Sequence, residues 1–176
     1  MDQLLFHPKI VHLPIALAVL MPLVASGVAF AWWRGWFDRR VWVLVVLLQA
    51  GLVGSGFLAM NTGEEQEERV EKIVPERHIE AHAEAAEIFV WASAAALLLM
   101  ALPLVLPQGQ LRWAAIVTAC IGSVVVLAFG FRAGEAGGRL VYQYGAAEAY
   151  VNAAGASKEG GRIHAVEEYE DEGGED

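Results

Sequence analysis

Imidazole side chains are the residues of this sequence best suited to chemistry. Four of the five histidines fall in two pairs, His7 with His12 and His78 with His82. His78 and His82 stand at i and i+4, which sets both on one face of a helix. Glu80 lies between them, in His78-Ile79-Glu80-Ala81-His82. Neutral imidazole is the common axial ligand of haem and the commonest side-chain ligand of transition metals. One reading is therefore a b-type haem held by His12 and His82, the deeper member of each pair. His7, His78, Arg77, Arg132 and Arg139 then line the rim, where propionates need cations. A second reading is a zinc, copper or iron ion held by a set drawn from His7, His12, His78, His82 and Glu80. In a third, the histidines only hydrogen-bond at helix starts near a membrane boundary, and no cofactor is bound.

Other chemistries find no support. The spacing is neither the Glu-x-x-His of di-iron bundles nor the His-Glu-x-x-His of zinc proteases. The lone cysteine, Cys120, sits in an apolar run, so no Cys-x-x-Cys-His attachment signal, cysteine cluster or internal disulfide can form. Gly134-Glu135-Ala136-Gly137-Gly138 follows an apolar segment and does not open a helix after a strand, which excludes a phosphate loop. No nucleophile lies beside a base. The chain reads as an electron-transfer or accessory subunit rather than a stand-alone enzyme. His164 lies in the acidic C-terminal stretch and is assigned no role.

The elements that must position these histidines are written in the hydropathy. Hydrophobic residues make up 56% of the chain and charged ones 19%. The net charge of −9 is concentrated in one loop and the C-terminal stretch. A helical span of the bilayer takes about 20 apolar residues. Four segments qualify, giving helices at about 10–33, 41–60, 76–106 and 112–132. The third starts ahead of its apolar run, soon after Pro75, because proline suits a first turn. Pro14, Pro22 and Pro103 are tolerated inside such helices. The first segment lacks the positive start of a cleaved signal and reads as a retained helix. Gly51, Gly54, Ser55 and Gly56 in the second helix, with Ala92 to Ala96 in the third, are candidates for close helix packing.

Arg34, Arg39, Arg40 and Arg112 occupy the first and third loops, which the positive-inside rule sends to the cytoplasm. Tryptophans 32, 33, 36, 42 and 113 gather at the same boundary, as an aromatic belt does. The expectation is an all-α, four-helix transmembrane bundle over residues 1–146, in a bacterial inner membrane, with both termini on the outer, periplasmic side. Residues 147–176, rich in Gly, Ala and acid, read as a disordered tail. The lipid bilayer is the first partner, and the lack of a basic stripe argues against nucleic acid. Helices one and three then run parallel, so all four paired histidines share one end of the bundle. Glu87 and Arg132 are ionisable groups at membrane depth; they serve function or pair with each other at the outer boundary.

The opening His7-Pro8-Lys9-Ile10-Val11-His12-Leu13-Pro14-Ile15-Ala16-Leu17 resembles the start of the domain-of-unknown-function 2231 membrane family. Gly137-Gly138-Arg139-Leu140-Val141-Tyr142-Gln143-Tyr144-Gly145 resembles that family's end. The resemblance spans nearly all of the chain to about Ala146. It implies four membrane helices. Members are sometimes joined to c-type cytochrome or Rieske-like modules, which implies a cytochrome c-like or Rieske-like redox partner, or a larger membrane complex. His7, His12, Gly137, Gly138 and Tyr142 match the family pattern. Tyr144 stands where the family often has histidine, so a ligand role at that position does not carry over.

Overall fold

The computed structural model describes residues 10–64 and 70–148. Four long helices account for most of them: α1 (His12–Trp33), α2 (Trp42–Glu64), α3 (Glu76–Val105) and α4 (Gln110–Tyr142). A 3-10 turn, Arg39–Val41, leads into α2. All four are long and apolar enough to cross a membrane. Their outer faces agree: Leu23, Leu47, Leu98, Val105, Ile121 and Phe131 are all exposed. Only 22% of the apolar window of α1 is buried within the chain. A water-soluble bundle would hide such a stripe, whereas hydrocarbon solvates it.

Each helix packs against two others, in the cyclic order α1, α2, α3, α4 and back to α1. Short connections make consecutive helices antiparallel neighbours, so α1 and α3 run parallel at diagonal corners. The first connection turns at Gly35, whose φ is +73°. There Asp38 accepts from the Arg40 amide at 2.6 Å. In the connection between α3 and α4, Arg112 Nε donates to the Leu106 carbonyl at 3.0 Å, holding the chain just past the end of α3.

The interior is built from small residues that let large ones in. The Phe89 ring of α3 lies between Gly56 of α2 and Gly130 of α4, where an added Cβ would come within 4.0 and 3.2 Å of it. That same Cβ on Gly130 would stand 3.7 Å from the Ala18 methyl of α1, so all four helices meet in one layer. Two side-chain hydrogen bonds tie α2 to α3. Trp42 Nε1 donates to the Met100 carbonyl at 2.8 Å, and Gln49 Nε2 to the Ser93 carbonyl at 2.9 Å. The donors are seven residues apart on α2 and the acceptors seven apart on α3, two helical turns in each case. Gln49 Oε1 is buried without a partner.

Two boundaries differ from the sequence expectation. The second helix continues to Glu64, beyond the expected Met60. The fourth continues to Tyr142, ten residues past the expected end at Arg132, straight through Gly134, Gly137 and Gly138. Helical glycine costs about 0.5–1 kcal/mol relative to alanine, and here packing outweighs that cost. Ala133, Ala136, Gly137 and Leu140 form a buried or half-buried stripe. On the outer side Arg139 pairs with Glu135 at 2.6 Å. The acidic tail expected over 147–176 lies, from residue 149 onward, outside the described residues.

Candidate functional site at the histidine end

The extra turns of α3 and α4 build a small second core beyond the apolar spans. Val70, Val74, Ile79, Leu140 and Ala146 are buried there, with Tyr144 packed against them. This core stands on the polar part of α3, where Glu80, Glu84 and Glu87 are exposed. Tyr144, packed against this core, also stacks on His78.

His82 is half-buried and turned onto α4. Its Nδ1 lies 3.2 Å from the Ala133 carbonyl oxygen. A carbonyl only accepts, so this nitrogen carries the proton and donates. In the neutral ring Nε2 is then the lone-pair nitrogen. Gly137 is the seat of the ring: a Cβ there would lie 3.0 Å from Cε1, 3.4 Å from Nδ1 and 3.5 Å from Nε2. Only glycine leaves the imidazole room to lie against the helix and reach the carbonyl one turn back.

His78 is held differently. Its ring stacks on Tyr144, with centroids 3.9 Å apart and planes 18° apart. Arg77 Nε donates to His78 Nε2 at 3.2 Å. Tyr144 and Arg77 therefore occupy the His78 ring, and Arg77 is directed to that histidine.

His12 opens α1 and is exposed. Helix rise places it relative to His82. His12 is six residues from Ala18, His82 seven from Phe89 and Gly137 seven from Gly130. Each interval is about 9–10 Å at 1.5 Å per residue. His12, His82 and Gly137 thus share one level, outward of the Phe89 layer. The expected juxtaposition holds for level and for the parallel direction of α1 and α3. It does not extend to contact partners: the interactions that fix His82 come from α4, its neighbour in the ring, because α1 is across the diagonal.

The remaining candidates are more dispersed. Arg132 and Glu80 are exposed, and Arg139 is engaged by Glu135. Glu87 is exposed as well, and among the described residues the ion pair between basic and acidic side chains is Arg139–Glu135, not Glu87–Arg132. His7 lies outside the described residues. Among the described residues no three His, Cys, Asp or Glu side chains are grouped to hold a metal ion. Sequence reasoning missed the Ala133 carbonyl and the Gly137 seat. The signal for both was the Ala133-xxx-Gly137 spacing, small residues one turn apart.

Fold and site together define a class: a multi-pass membrane protein with a four-helix bundle and a histidine-bearing cap at one end. A family model described as "Predicted membrane protein (DUF2231)" matches residues 4–149, and the chain belongs to that family. Comparison with curated proteins and with solved structures finds no match.

Proposed function

We propose that this protein is a membrane electron-transfer subunit whose histidine end would hold one b-type haem through His82 and His12. The observation that carries this reading is the state of His82. Its Nδ1–H is anchored on a backbone carbonyl, its ring is seated on a glycine, and Nε2 is the nitrogen left with a lone pair. Metal-bound histidines have this arrangement, because the second hydrogen bond fixes the tautomer and the ring orientation. His12 supports the pairing by standing at the same level on the diagonal, parallel helix. Haem supplies one-electron chemistry when bound; the protein supplies the ligand nitrogens, the glycine seat and the apolar floor at Phe89. Arg132 is the exposed cation nearest in sequence to the Ala133 anchor and suits a propionate. A cytochrome c-like or Rieske-like protein, or a larger membrane complex, would exchange the electrons.

A second reading treats both imidazoles as packing elements of a cofactor-free accessory subunit. The His78–Tyr144 stack and the close His82–Gly137 contact favour it. Haem and metal quantitation on protein expressed with both available separates the readings. The proposal expects one haem per chain in the wild type and loss of haem in His82→Ala and His12→Ala, with His78→Ala retaining it. Stoichiometric metal without porphyrin would point to the ion site instead. Absence of both would leave the accessory subunit.

A further inference from the structure

The opposite end of the bundle carries a second site, independent of the histidines. A cavity of about 330 Å³ opens there, lined by Trp32, Asp38, Arg39, Arg40, Gln108 and Arg112. Three of the six lining residues are arginines and one is an acid. That acid, Asp38, already accepts the Arg40 amide.

Arg112 is the unusual member. Its side chain is buried, with 6% of the residue exposed. Its Nε and one terminal nitrogen both donate to the same Leu106 carbonyl. Its guanidinium carbon stands 5.8 Å from the centre of the Trp32 ring. A guanidinium has five N–H donors, and those two bonds leave the rest of the fork with no partner among the described residues. No carboxylate pairs with it there. The N–H groups left over are not among the fully buried, unpartnered atoms; they are accessible on a fixed guanidinium that lines the cavity with Arg39 and Arg40, a set of donors that suits an anion.

The location identifies the anion. Trp32 packs on Trp42 and Trp113, with ring centroids 6.2 and 5.7 Å apart. That cluster is part of the core, but Trp33 and Trp36 beside it are exposed, and exposed tryptophans that flank a span sit at headgroup depth. The cavity therefore opens where lipid phosphates lie. Basic pockets between membrane helices recognise phosphorylated headgroups, and a guanidinium fork matches phosphate geometry.

We propose that this cavity binds the phosphate group of an anionic phospholipid, with Arg112 as the fixed donor and Arg39 and Arg40 closing over it. The test is a lipid titration of the full chain in detergent by native mass spectrometry. Phosphatidylglycerol is compared with phosphatidylcholine, with and without inorganic phosphate. The expected result is preferential retention of phosphatidylglycerol. Each basic residue near an anionic surface contributes about 1 kcal/mol, about fivefold in affinity. The double variant Arg39→Gln/Arg40→Gln should therefore weaken retention about 30-fold. Both residues are exposed, so the folding of that variant is not at risk. Arg112→Gln should abolish the preference, and where it fails to fold the double variant decides. Equal retention of the two lipids, or unchanged retention by the double variant, overturns the proposal. Tight binding of inorganic phosphate with no preference for the anionic lipid overturns the lipid as its source.

Discussion

Gly137→Ala is the smallest change that should disturb the histidine end. The new Cβ would stand 3.0 Å from His82 Cε1, whereas unstrained carbon contacts lie at about 3.5–4.0 Å. The ring has to retreat by about 0.5 Å or more, which carries the 3.2 Å Nδ1–Ala133 contact beyond hydrogen-bond range. The lost hydrogen bond costs about 1 kcal/mol and the overpacking about 1–3 kcal/mol. Removing a helical glycine returns about 0.5–1 kcal/mol. The net expectation is a loss of about 1–3 kcal/mol. Gly134→Ala and Gly138→Ala are internal controls, because a Cβ at either meets nothing within 4 Å. Both should be neutral or stabilising by up to about 1 kcal/mol. Unfolding in mixed micelles measures all three. If Gly137→Ala proves as stable as Gly134→Ala, the seat inferred for His82 does not exist. The same variant should also carry less haem, since disturbing a ligand's outer-shell partner typically costs about 10–100-fold in affinity.

Three further outcomes follow from the packing. Tyr144→Ala should destabilise the cap by about 1 kcal/mol through loss of the His78 stack, and Tyr144→Phe should not; hydrogen exchange at Val74 and Ile79 reports the difference. Gln49→Leu should stay within about 1 kcal/mol of the wild type, because it removes an unpartnered oxygen together with one hydrogen bond; Gln49→Glu should be strongly destabilising, since it places a charge in the bundle interior. Trp42→Phe should lose more than the ~0.6–1 kcal/mol of its bond to Met100, because replacing the fully buried indole also leaves a cavity; the same micelle unfolding measures it.

The spans were legible because hydrocarbon imposes a length and a composition that few other structures share. The grouping of His12, His78 and His82 at one end followed from counting helices and their directions. Hydropathy ends the fourth segment at Arg132, where the apolar run stops, and the helix continues through Gly134, Gly137 and Gly138 to Tyr142. Of the three, Gly137 meets α3 through His82, and Leu140 beyond them is buried in the second core, contacts that no local window contains. The cyclic order was within reach, since short loops make neighbours of consecutive helices, and that order puts α4 rather than α1 beside His82. Arg112 looked like a loop cation of the positive-inside kind. Its burial arises because α3 ends at Val105 and leaves the Leu106 carbonyl in need of a donor.

The proposed ligands of the haem are His82 and His12. Optical spectra of the purified wild type, His12→Ala and His82→Ala, each oxidised and then reduced with dithionite, test that ligation. Haem held by both histidines gives a Soret band in the wild type that shifts and sharpens on reduction, and that band is lost in both variants. A wild type without a Soret band after expression with ample haem, or a band unchanged in both variants, would contradict that ligation.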